Sequence, residues 1–223
     1  MAPRRKIAPL AAAVVAASVA WTSACGSGGT PAAQSSTAAE SSAVTSSAVT
    51  STSSAGAPSA AAKVLAPISE RVTGQPIDGI SADTAEKLLF HIHAHLAIYV
   101  DGQEKLVPYG IGIVGPYKLK QTAYGPFVES GSKYYWLHTH DETGIIHIES
   151  PVQRSFTLGN FFDIWQQPLG PDQVGPARGP VTVFVDGKQV QTDPRTIELH
   201  NHEQIQLDVG KVVAFKPYDF HGY

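Results

Sequence analysis

Sulfur is almost missing from this chain of 223 residues, which has one cysteine, Cys25, and one methionine, the initiator. No intramolecular disulfide can form, and neither a cysteine-based zinc cluster nor a methionine-rich copper(I) site can be assembled. Positive charge is also scarce, with 16 Lys and Arg against 19 Asp and Glu. Arg4, Arg5 and Lys6 fall in a segment expected to be removed, which leaves 13 basic residues and a mature charge of −6. Nucleic acid is therefore not an expected partner, because phosphate binding needs a basic footprint. The apolar run Ile7 to Trp21 is shorter than the roughly 20 residues of a membrane-spanning helix. What the sequence does have is histidine, nine of them, all after residue 90. Any metal chemistry has to run on His, Asp and Glu.

Residues 1–24 combine a basic start, an apolar stretch and the small residues Ser23 and Ala24, the layout of an export signal. Cys25 directly after it resembles the lipobox of bacterial lipoproteins, in which this cysteine is acylated and becomes the mature N-terminus. Thr22 stands where that pattern usually has Leu or Val. A lipid-anchored protein on the extracytoplasmic face of the cell membrane is expected, with plain secretion as the alternative. From Gly26 to Ala62 the 37 residues include 11 Ser, 11 Ala, 5 Thr and 4 Gly, and Glu40 is their only charge. Such a segment cannot bury enough apolar surface to offset the entropy of ordering, so residues 25–62 read as a lipidated Cys followed by a disordered tether.

Residues 63–223 read as one mainly β domain, an antiparallel β-sandwich or small barrel with one short helix. From Phe90 to Val100 apolar residues alternate with His91, His93, His95, Ala97 and Tyr99, the signature of a half-buried strand. Asp101-Gly102 and Asp186-Gly187 are type I′ hairpin signals, the second joining Val181–Val185 to Lys188–Gln191. Thr196–His200 and Gln204–Val209 read as a further strand pair. Leu158, Phe161, Phe162 and Trp165 lie at i, i+3, i+4 and i+7 behind a Thr157 N-cap, with Pro168 closing the helix.

The chemistry sits on the polar faces of the strands. Residues two apart on a strand project from one side, so His91, His93 and His95 line up, as do His138 and His140. The stretch from Trp136 to Glu149 reads as a hairpin turning at Asp141 to Gly144. Matching its apolar faces pairs Leu137 with Ile148 and His138 with His147, which puts His138, His140, His147 and Glu149 on one face. A three-residue loop would turn His147 away. The candidate metal ligands are thus His91, His93, His95, His138, His140, His147 and Glu149, with Asp141 and Glu142 as carboxylates that orient ring N–H groups. Neutral imidazoles with a carboxylate suit Zn(II), Cu(II), Ni(II) or Fe(II), with zinc or copper favoured, and the lack of thiolate argues against blue copper. His200, His202 and His221 read as structural or incidental, and Tyr99, Trp136 and Trp165 as packing.

The segments His-Ile-His-Ala-His-Leu, Leu-His-Thr-His-Asp-Glu-Thr-Gly-Ile-Ile-His-Ile-Glu-Ser-Pro and Phe-Thr-Leu-Gly-Asn-Phe-Phe-Asp-Ile-Trp resemble a recurring family of uncharacterised exported bacterial and archaeal proteins. That resemblance covers about Phe90 to Gln167 and implies no particular activity. A weaker likeness links His138, His140, Glu142 and His147 to cupins, although the interval from His140 to Glu142 is shorter than the cupin pattern. Three functions follow. The favoured one is a lipid-anchored module that sequesters or delivers a divalent transition metal, exchanging it with a partner. The second is a cupin-like metalloenzyme, hydrolytic or oxidative, acting on a small molecule, with Asp141, Glu142 or Glu149 moving protons. The third is an interaction domain whose clustered histidines respond to pH without metal.

Overall fold

The structure is a computed structural model that describes residues 63–69 and 71–223. The export signal, Cys25 and the tether lie outside the described residues. The described chain is mainly β, with one α-helix, as the strand-rich patterning implies. Its centre is the eleven-residue strand Phe90–Val100. Beside it on one flank runs Ile145–Ser150, antiparallel, followed by the short strand Leu137–His138. On the other flank lies Gln204–Val209, then Val181–Val185 and Lys188–Val190. Gln103–Lys105 folds back on the end of the central strand.

Both Asp-Gly hairpins form. Asp101 and Gly102 have φ of 51° and 80°, and Asp186 and Gly187 have 48° and 78°, so both central residues occupy the left-handed region that a type I′ turn requires. The apolar-face register also holds, since Leu137 pairs with Ile148 and His138 with His147.

One expected pair does not form. Residues 196–200 make no hairpin with Gln204–Val209. A 3-10 turn over Pro194–Thr196 redirects the chain, and the next residues bond to the helix entry, Leu158 N–H to the Ile197 carbonyl and Leu199 N–H to the Phe156 carbonyl. Ile197 and Leu199 still face the core. Gln204–Val209, freed from that pairing, runs parallel to Phe90–Val100, with Gln204 opposite His95 and Val209 opposite Val100.

The two faces of the sheet have different covers. On one, Ala94, Leu96 and Ile98 pack in the same core as the helix Leu158–Trp165. Thr157 caps that helix by accepting from the Asn160 N–H, while the Asn160 side chain accepts from the Thr157 N–H. Leu158, Phe161, Phe162 and Trp165 are all fully buried, each contributing roughly 1.5–3 kcal/mol of hydrophobic stabilisation. Trp165 also donates to the Pro67 carbonyl. The histidine face is covered in part by the C-terminal segment 211–223. Three alternate residues of the neighbouring strand hold that segment: Asp208 accepts from Val213 N–H, Gln206 from Lys216 N–H and Gln204 from Tyr218 N–H. The Lys216 ammonium lies 4.7 Å over the Tyr99 ring, and Tyr218 stacks on His95.

Candidate metal centre

Strand register decides which histidines meet. Across the antiparallel pair, His91 is opposite Glu149, His93 opposite His147, and His95 opposite Ile145. Directly opposed residues project to the same side of a sheet. Thus His91, His93, His147 and Glu149 converge, while His95 faces an apolar neighbour. His91 Nε2 and His93 Nε2 are 3.1 Å apart, and His93 Nε2 is 3.2 Å from His147 Nδ1. Glu149 Oε1 lies 3.3 Å from His91 Nε2 and 3.4 Å from His147 Nδ1. These donors, one from each of the four side chains, all lie within 4.8 Å of one another.

A second group adjoins the first. His138 is next to His147 across the sheet, and its Nε2 stands 3.1 Å from His140 Nε2. His138 Nδ1 is 2.9 Å from the Tyr135 carbonyl oxygen, and His140 Nδ1 is 2.6 Å from that of Val128. A carbonyl oxygen only accepts, so both Nδ1 atoms carry the proton. Burial holds the His138 ring neutral, so its Nε2 is a bare acceptor aimed at His140 Nε2, an arrangement satisfied by a cation between them. Two imidazole nitrogens held about 2.0–2.1 Å from one tetrahedral ion stand roughly 3.3 Å apart, close to what is found here. Backbone carbonyls fix these tautomers in the way that outer contacts orient metal-binding histidines. His147 belongs to this group too.

Glu86 completes the centre, and nothing in the sequence patterning pointed to it. It lies outside any strand, and its Oε1 is 3.3 Å from His140 Nε2. A third group of possible ligands joins Glu86, His138 and Glu149. Burial pushes the Glu86 carboxyl up, and the Glu149 charge pushes it the same way. Glu149 itself is 4% exposed, and its Oε2 is buried with no hydrogen-bond partner among the described residues.

The environment keeps several of the rings neutral. Burial, reinforced by neighbouring His91, lowers His93 from 6.5 to about 4. Burial and the adjacent histidines hold His138 and His147 well below the usual imidazole range. Neutral rings present lone pairs without first losing a proton, as metal binding requires. Aromatic rings line the cluster. Phe127 stacks on His140 at 4.9 Å, Tyr134 meets the edge of His138 at 5.7 Å, and Tyr223 meets the edge of His93 at 5.1 Å.

The remaining histidines and carboxylates stand elsewhere. His95 Nε2 contacts the Thr143 carbonyl at 3.0 Å, and burial lowers this ring to about 4. Asp141 accepts from the Thr143 N–H and hydroxyl, forming an Asx turn that shapes the loop. Glu142 lines an outer cavity with Tyr109 and Pro126. The ring-orienting role expected of Asp141 and Glu142 thus falls to backbone carbonyls. His202 stacks on Phe220, while His200 and His221 are exposed and adjoin Glu198 and Asp219. The chain matches no family model, no curated protein and no solved structure.

Proposed function

We propose that this protein is a membrane-anchored extracytoplasmic lipoprotein that binds a divalent transition metal, Zn(II) or Cu(II), through its clustered histidines. The observation that carries the metal reading is the His138–His140 pair, whose Nε2 atoms face each other at 3.1 Å while both Nδ1 atoms are engaged by backbone carbonyls. Imidazole and carboxylate donors without thiolate suit these two ions. Burial of a carboxylate beside neutral rings adds a negative charge that a divalent cation would balance. The anchor is supported by the basic, apolar and small-residue succession that ends at Cys25. A sequestering or delivering role, with exchange to a partner, fits a donor set larger than one ion requires.

A pH-responsive interaction domain is less well served, because the clustered rings are mostly buried and packed against one another rather than displayed on a surface. The test is competition. The full chain, stripped of metal, is titrated with Zn(II) or Cu(II) in the presence of a chromophoric chelator. The proposal expects saturable removal of metal from the chelator; no removal at any ratio contradicts it.

A further inference from the structure

The donor set is too large and too spread for one ion. Among the described residues, five imidazoles and two carboxylates form three overlapping groups, and no one group contains them all. His91 and His93 occur in one group only. His140 occurs with His138 and His147, and Glu86 with His138 and Glu149. A four-coordinate ion placed among His91, His93, His147 and Glu149 leaves His138, His140 and Glu86 with facing, unused donor atoms.

Glu149 connects the halves. Its Oε1 lies against His91 and His147, at 3.3 and 3.4 Å. Its Oε2 is buried without a hydrogen-bond partner among the described residues, although an unpartnered buried carboxylate oxygen is costly unless something satisfies it. Glu149 also shares a group of possible ligands with Glu86 and His138. We infer that the centre holds two divalent ions, bridged by the Glu149 carboxylate. One is bound by His91, His93, His147 and Glu149 Oε1, the other by His138, His140, Glu86 and Glu149 Oε2. Seven side chains with one shared between sites supply four ligands to each ion, the usual number for zinc. Carboxylate-bridged ions in protein two-metal sites are typically about 3.5–4 Å apart. This inference rests on the metal-binding reading and adds the number of ions and their bridge.

The experiment combines stoichiometry with magnetic coupling in the full chain. Elemental analysis after Zn(II) or Cu(II) loading and desalting is expected to give two ions per chain. The paired substitutions His91→Ala with His93→Ala, and separately His138→Ala with His140→Ala, each reduce this to one. Electron paramagnetic resonance of the Cu(II)-loaded wild type gives a coupled-pair signal, and each paired variant gives an ordinary mononuclear one. The wild-type spectrum and stoichiometry decide the matter even if a variant fails to fold. One ion per wild-type chain overturns the two-ion centre while leaving the metal reading intact. Two ions without magnetic coupling overturn the bridge. No ion at all overturns both this inference and the reading beneath it.

Discussion

His93 and His147 sit directly opposite one another on adjacent antiparallel strands, and their rings meet with Nε2 of the first 3.2 Å from Nδ1 of the second. Two neutral imidazoles at that distance share at most one N–H···N hydrogen bond, whereas a cation between them engages a lone pair of each. That relationship makes metal loading a question of stability as well as occupancy.

Metal binding is expected to raise the thermal midpoint. Free Zn(II) at one hundred times its dissociation constant stabilises the folded state by about 2.7 kcal/mol. For a domain of this size each kcal/mol moves the midpoint by roughly 2–4 °C, so the shift is about 5–11 °C. Differential scanning calorimetry of the stripped protein with and without Zn(II) measures it. Coincident transitions would count against a specific site.

Glu149→Gln should act in opposite directions on stability and binding. The carboxylate is buried with one oxygen unpartnered among the described residues, and burial holds the nearby His138 and His147 rings well below the usual imidazole range. Removing the charge should stabilise the metal-free protein by about 1 kcal/mol and weaken Zn(II) uptake at least tenfold. Chemical denaturation and chelator competition report the two effects separately. A variant that binds Zn(II) as well as wild type would exclude Glu149 as a ligand.

Acidification should weaken the metal-free fold between pH 6.5 and about 4. His93 and His95 are each lowered from 6.5 to about 4, mainly by burial. Between those values the unfolded chain binds more protons than the folded one, so stability falls as pH falls. It is greatest above pH 6.5, and these two groups cost nothing more below about pH 4. The shift corresponds to an upper bound of roughly 3 kcal/mol for each ring. Urea midpoints measured across this window test the sign. A midpoint rising toward pH 4 would contradict buried neutral imidazoles.

The loop that closes the second histidine stretch depends on Gly144. Its φ is +86°, and a Cβ there would run into the Leu96 carbonyl oxygen. Gly144→Ala should cost about 1–3 kcal/mol through backbone strain and should also weaken metal uptake, since the loop joins His140 to His147. Unchanged denaturation and unchanged uptake together would show that the turn has no bearing on the centre.

Much of this arrangement was legible because it depends on local periodicity. The alternation from Phe90 to Val100 placed three histidines on one face, and the match of Leu137 to Ile148 brought His138 to His147. The Thr157 cap and the Leu158, Phe161, Phe162, Trp165 stripe marked the helix. Other features depend on contacts between distant residues. His95 shares a face with His91 and His93, but the partner strand offers it Ile145, so it turns to the Thr143 carbonyl instead. The parallel pairing of Gln204 with His95 joins segments more than 100 residues apart, which no turn signal announces. Glu86 approaches His140 from an irregular segment with no period to reveal its direction.

The anchor has its own test. Cys25→Ser removes the proposed acylation site and should move the protein from the membrane fraction to the soluble extracytoplasmic fraction. Continued sedimentation with membranes after a carbonate wash would argue against lipidation at this residue.

The most direct test of the central claim is elemental mass spectrometry of the full chain, expressed without a histidine tag and exported by its host, before and after chelation. The account predicts stoichiometric zinc or copper on the purified protein, removed by chelator and restored on readdition. Protein that carries no metal as purified, and takes up neither ion after stripping, would contradict it.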